Sequence, residues 1–234
     1  MSEPGRREEL ELRLAEVRGR IAKACQAAGR DPGDLTLIGV TKTRPASDVR
    51  LLAELGLRDV GENRDAEAAP KAAECADLNL TWHFIGQLQT NKCASVVRYA
   101  SVVHSVDRLR LIRALGKAAR GAGRVIQGLI EVSLDRDPAR GGALADDVPA
   151  LAEALVAEEG LVLGGVMAIA PLDMEPAAAF ARLLDSAAAV RAIRPAATVI
   201  SAGMSGDLEA AVESGATHLR IGTALLGDRE PRVR

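Results

Sequence analysis

Eight short apolar runs, each followed by a helical pattern, constrain this chain more than any other feature. The runs cover 35–40, 58–60, 82–86, 101–106, 125–132, 161–168, 198–201 and 217–221. Most are continuous in Val, Ile, Leu and other apolar residues instead of alternating with polar ones, as expected of strands buried on both faces of a parallel sheet. Helical patterns at 47–55, 64–75, 91–99, 108–120, 146–158, 175–193 and 205–214 separate them. An alternation carried eight times in 234 residues predicts an α/β fold, a single (β/α)8 TIM barrel at the compact end of its range. An open doubly wound sheet is the alternative, weakened because no G-x-G-x-x-G follows the first run. Ahead of the first strand, Leu10, Leu14, Val17 and Ile21 share one helical face. Residues 1–30 are therefore expected to form a helical prefix to one domain spanning 1–234.

Composition removes several function classes. Thirty Lys and Arg against 32 Asp and Glu leave a net charge of −2, so no basic surplus suggests a nucleic-acid surface. Cys25, Cys75 and Cys93 are odd in number and lack C-x-x-C spacing, which reads as reduced thiols, neither a disulfide frame nor a zinc site. Residues 1–9 are polar with no apolar segment behind them, and no run approaches the roughly 20 residues of a membrane span. The expectation is a cytoplasmic protein with no membrane contact.

In such barrels chemistry sits at the carboxyl ends of the strands, with phosphate sites often following strands seven and eight. The first strand runs straight into Lys42. A lysine there is costly to desolvate, and an amine of lowered pKa is what Schiff-base chemistry uses. The plain alternative is a lysine pointing into solvent. Strand two leads to Gly61-Glu62-Asn63, read as breaking the strand; strand three carries His83, and strand six ends at Met167. Strand seven ends in Ser201-Ala202-Gly203-Met204-Ser205-Gly206, and strand eight in Arg220-Ile221-Gly222-Thr223. Small and hydroxyl residues in these last two loops let backbone N–H groups approach a phosphate, although each is equally a turn or helix cap by itself. His83, taken alone, is more often a core histidine than a catalyst. His104 and His218 have no Cys or carboxylate at ligand spacing, so no metal is assigned. Residues 133–142 read as a mobile surface loop offering Arg140 to an anion, and Tyr99 as a packing residue.

Six blocks carry a family likeness: Val40-Thr41-Lys42-Thr43-Arg44-Pro45, Gly61-Glu62-Asn63, Trp82 to Lys92, Gly165 to Ile169, Gly203 to Ala211, and Arg220 to Gly227. In order and over nearly the whole chain, they resemble the pyridoxal-phosphate homeostasis protein family. The resemblance implies a barrel similar to the N-terminal domain of alanine racemase, binding pyridoxal 5′-phosphate (PLP). Lys42 matches the lysine that forms the Schiff base. Ser201, Gly222 and Thr223 match phosphate-binding positions, with Gly203 and Ser205 nearby, and Asn63, His83 and Met167 match pocket residues. Arg220 matches the arginine facing the pyridine nitrogen, where a permanent cation disfavours ring protonation and weakens the cofactor as an electron sink. Arg64 departs from the family, which commonly has a tyrosine or other aromatic there, and would add a cation near the pocket mouth.

The implied function is a PLP carrier in intracellular PLP homeostasis, without robust turnover, that affects amino-acid and keto-acid pools and donates PLP to apo-enzymes. The alternative is a racemase of the alanine-racemase type, with Lys42 as one base. That enzyme takes its second base, a tyrosine, from a further β-domain, for which the sequence from Gly227 to Arg234 leaves no room. Lack of that dimer-forming domain points to a monomer. A barrel that has lost its ligand is the third reading, disfavoured because Lys42, Arg220 and both loops are all present.

Overall fold

A computed structural model describes residues 3–135, 137 and 140–228. Of the surface loop expected at 133–142, Arg136, Pro138 and Ala139 lie outside the described residues, as do residues 1–2 and 229–234. Eight parallel strands close into a barrel in chain order: β1 (Thr36–Val40), β2 (Asp59–Glu62), β3 (Thr81–Phe84), β4 (Val102–Val106), β5 (Ile126–Glu131), β6 (Leu161–Met167), β7 (Val199–Ser201) and β8 (His218–Ile221). The seam is a regular parallel pair, Leu37 opposite Leu219 and Gly39 opposite Ile221. Nine α-helices are present among the described residues. After α1 (Glu3–Ala28) come α2 (Ala46–Glu54), α3 (Asp65–Glu74), α4 (Cys93–Val96), α5 (Leu109–Gly121), α6 (Val148–Ala157), α7 (Pro176–Ile193), α8 (Leu208–Glu213) and α9 (Thr223–Leu226). None is long and apolar enough to cross a membrane.

Alternation along the strands sorts side chains into two layers. Outward residues such as Phe84, Val103, Ile130, Val166, Leu219 and Ile221 are buried beneath the helices in the main core. Inward residues fill the lumen, where Val102, Leu129 and Met167 form a small apolar cluster. Ile38 and Val40 add apolar bulk from β1, and a row of polar residues crosses the rest. His83 on β3 and His218 on β8 are not on neighbouring strands, yet their rings lie 6.4 Å apart, a contact only the lumen allows.

Two local expectations change. Gly61 and Glu62 do not break β2; Gly61 is paired with Val40 on one side and His83 on the other, so neighbours on both sides extend the strand. The single helix expected at 91–99 is instead a 3-10 turn over Thr90–Lys92 followed by α4. Its exit tightens again, with Arg98 and Tyr99 bonding to Ser95 and Val96 three residues back, as helix ends do to satisfy their last carbonyls.

The helical prefix is part of the barrel wall. Leu10, Leu14, Val17 and Ile21 are buried, and α1 packs chiefly against α8 and α9. Arg6 is tied to Asp48 on α2 and to the Leu226 carbonyl, and Arg20 to Glu209 on α8. On the other side, Glu62 points outward beneath α3, where Lys71 Nζ donates to its Oε1 at 2.5 Å and to the Thr41 carbonyl at 2.8 Å. Thr41 Oγ1 donates to the same carboxylate oxygen at 2.7 Å, so one buried ion pair fixes the chain just before Lys42. Lys71→Met would strand a buried carboxylate and is expected to lower unfolding free energy by about 3–5 kcal/mol in urea titrations; a loss under about 1 kcal/mol would mean that water already reaches the pair.

Candidate functional site

At the carboxyl ends of the strands lies a cavity of about 480 Å³. Lys42 reaches it from the turn after β1, and Asn63 follows β2. Ser205 and Gly206 line it from the β7–α8 loop, and Gly222 and Thr223 from the start of α9. Arg220 lies at its base and Ile85, Ile169 and Met204 supply apolar wall.

The Lys42 turn is closed by Arg44 N–H donating to Thr41 O at 3.0 Å. It holds Thr43 at φ +65°, the one non-glycine left-handed residue among those described. A β-branched residue there carries about 1–3 kcal/mol of strain, and the Thr43 N–H donating to Glu67 Oε2 at 3.1 Å helps to hold it. Beside the turn, Ser205 Oγ accepts from Ala224 N–H at 3.1 Å, joining the two candidate phosphate loops. Arg20 on α1 donates to the Ser205 carbonyl at 3.1 Å, so the prefix braces the same loop. Gly86 also lines the cavity; a Cβ there would come within 2.2 Å of the Asn63 carbonyl oxygen, so only glycine permits the β3 exit to lie against the β2 exit.

Four residues expected at the pocket lie elsewhere. Met167 is buried in the lumen cluster with Val102 and Leu129 and does not line the cavity. Gly203 serves as a turn, with φ +91° and a Cβ position 2.6 Å from Ala211. Ser201 is fully buried, and His83 nearly so; both belong to a hydrogen-bonded chain under the cavity. Nor does Arg64 add a cation at the mouth: it is exposed and pairs with Glu67 at 3.4 Å. Tyr99 stacks edge-on against Trp82 at 6.3 Å in a separate groove.

The buried chain has one direction. Arg220 Nη1 donates to Ser201 Oγ at 2.6 Å, and Ser201 Oγ lies 3.0 Å from His104 Nδ1. His104 Nε2 is 2.9 Å from His83 Nδ1, and His83 Nε2 is 2.9 Å from Asp59 Oδ1. A guanidinium only donates and a carboxylate only accepts. The row is satisfied throughout when Ser201 donates to His104, His104 to His83 and His83 to Asp59. Burial, reinforced by the neighbouring His83, holds the His104 pKa well below the usual imidazole range. Burial likewise pushes His218 down to about 4 and Arg220 down to about 10, which leaves the guanidinium charged at neutral pH. All three histidines of the sequence lie in this lumen. Local spacing gave no sign of it, because the partners come from β2, β3, β4, β7 and β8.

Sequence reasoning also missed Glu131, the last residue of β5, which lines the cavity. Burial first, then the charge of Asp107, pushes its carboxyl up to about 7, with Arg220 acting the other way. The signal available was only a carboxylate at the end of an otherwise apolar strand.

The alanine racemase N-terminal domain family model matches residues 13–230. A pyridoxal phosphate homeostasis protein of Mycobacterium tuberculosis H37Rv is 43% identical, the match covering 98% of this chain and 96% of the relative. This chain belongs to the pyridoxal phosphate homeostasis protein family. PipY of Synechococcus elongatus PCC7942, solved with PLP bound, superposes with a TM-score of 0.81 at 35% identity, covering 93% of this chain and 100% of that one. Alanine racemase of Clostridium difficile 630 shares the fold at a TM-score of 0.76 with 13% identity, over 96% of this chain and 58% of the racemase. The structure places the Lys42 turn and both small-residue loops on one cavity, and the chain's relatives carry the PLP name.

The shifted groups predict a pH signature. Unfolded histidines take up protons near about 6.5, so keeping His104 and His218 neutral makes stability fall as pH drops below that value. For His218 the loss continues down to about 4. Glu131 acts oppositely: its carboxyl, raised to about 7, stays protonated in the folded state where the unfolded one has ionised, so acidification through this range favours folding by that group. Two histidines outweigh one carboxyl. Urea midpoints should fall from pH 7 to pH 5, and Glu131→Gln should steepen the fall; a flat profile would mean that the histidines are protonated in the native barrel.

Proposed function

We propose that this protein binds PLP at the barrel mouth, holds it as a Schiff base on Lys42, and carries it in intracellular PLP homeostasis. The observation that carries this reading is that Lys42, Arg220 and both loops line one cavity. Bound there, PLP supplies an aldehyde that condenses with primary amines and a ring that withdraws electrons. Lys42 offers the amine from β1. Ser205, Gly222 and Thr223 offer hydroxyl and backbone donors suited to a phosphate, with loops short enough for close approach. Arg220, kept cationic and aimed by its bonds to Ser201 and the Ala168 carbonyl, faces the ring side of the cavity. Ser201 supports this arginine, so the phosphate falls to the loop residues beyond it.

Carriage fits the site better than racemisation. The sequence has one tyrosine, and Tyr99 is packed in the other groove with its hydroxyl 3.4 Å from Asp65 Oδ1, where it serves no substrate at the mouth. Acceptors of the cargo would be apo-enzymes that use PLP, and their supply would affect amino-acid and keto-acid pools.

Lys42→Ala should abolish the visible absorbance band of the loaded protein and its borohydride-reducible attachment while leaving the fold intact, since Lys42 lies in a turn and not in the core. Attachment that persists in the variant would overturn the assignment. Thr223→Val should weaken PLP retention about tenfold or more, the worth of a hydrogen bond to a charged group, and leave pyridoxal binding nearly unchanged. Equal losses for both ligands would place the phosphate elsewhere.

A further inference from the structure

We propose that Glu131 is the proton-transfer group for the capture and release of an aldehyde ligand by Lys42, a deepening that rests on the Lys42 reading above.

The placement follows from topology. Leu129 belongs to the lumen cluster, and Glu131, two residues on, shares its face at the open end of β5. In a closed barrel of eight strands in chain order, β5 stands diametrically opposite β1. Lys42 and Glu131 therefore approach the same cavity from opposite walls. Among the described residues Glu131 is the one carboxylate on its lining, while Lys42, Arg44, Arg140 and Arg220 are cations. A counter-charge to that group would gain most by staying fully ionised. Glu131 instead feels burial and Asp107, from the end of the adjacent β4, against Arg220 from β8. The result holds it divided between acid and carboxylate at neutral pH, the condition under which one group both gives and takes protons most effectively.

The chemistry needs such a group. Condensation of a lysine amine with an aldehyde forms a carbon–nitrogen double bond and breaks the carbon–oxygen bond, and the oxygen leaves as water. Both protons of that water derive from the amine nitrogen. Glu131 in its acid form gives a proton to the oxygen and recovers one from nitrogen twice, once as the amine adds and once as water leaves. Both protons of the water are thus accounted for, Glu131 ends unchanged, and no oxidant or reductant enters. Release is the same path reversed, with Glu131 as the base that activates the incoming water. The amine and the carbonyl oxygen cannot exchange these protons efficiently by themselves, because their separation during the step is set by the forming bond.

A catalyst of a reversible step speeds both directions and leaves the equilibrium alone, which separates this role from a structural one. Stopped-flow capture of PLP by the full-length apo-protein, and release followed by borohydride trapping of the fraction still bound, should both slow about 100-fold in Glu131→Gln, with unchanged affinity. The wild-type capture rate should show an inflection near neutral pH that the variant lacks. Formate should restore speed to Glu131→Ala, a variant whose folding is checked by its own unfolding curve. Weakened affinity through faster release, with capture unchanged, would make Glu131 only a counter-charge to Arg220, and rates insensitive to the substitution would likewise overturn the proposal. If Lys42→Ala still forms the reducible link, it is the Lys42 reading that fails, an outcome separate from all of these.

Discussion

The buried guanidinium of Arg220 is the charge on which the rest of the lumen depends. Removing such a group from water costs several kcal/mol unless bonds replace the lost hydration. Here Ser201 and the Ala168 carbonyl take its donors, and the hydroxyl passes the polarity on through two imidazoles to Asp59. Asp59 lies at the start of β2 with its side chain 27% exposed, so the chain spans from the cavity base to the far end of the barrel. A lumen usually filled by branched apolar residues has given one side to this row. The row ties the orientation of Arg220 to a carboxylate four hydrogen bonds away.

The outer wall serves the mouth by the same economy of contacts. The Glu62–Lys71 pair clamps Thr41 and so fixes where the Lys42 turn begins. Across the barrel, α1 reaches over the β8–β1 seam and holds the Ser205 loop through Arg20. A helix that precedes the barrel in sequence is thus among the supports of the loop that follows the seventh strand. Rigid support of this kind would matter for the covalent attachment proposed at Lys42, since a misplacement of about 1 Å can cost orders of magnitude in rate. The strained Thr43 is tolerated because Glu67 and the turn bond hold it from two sides.

Much of this was legible from the chain alone, for reasons that differ by residue. The eight apolar runs specify strands and their order because burial on both faces is a local composition signal, and Leu10, Leu14, Val17 and Ile21 specify the buried face of α1 because helical periodicity is local too. Lys42, Asn63, Ser205, Gly222 and Thr223 occupy the cavity lining because strand ends in a barrel share one rim. The positions that moved are those one layer down. Met167 and Ser201 each end a strand, yet stand below the opening, because their depth depends on the stagger of neighbouring strands. Gly203 was drawn to the phosphate by its company and proved to be a turn.

The sequence by itself determined the barrel, the prefix and the rim, since each rests on patterns within about 10 residues of the chain. Tertiary structure alone decided which inward residues reach the cavity, which polar groups meet in the lumen, and that Glu131 stands across from Lys42. Those facts depend on strand tilt and closure, which bring together residues far apart in the chain, 97 positions in the case of the His104–Ser201 contact. No local pattern encodes such a meeting; it follows from the summed geometry of eight strands closing on themselves.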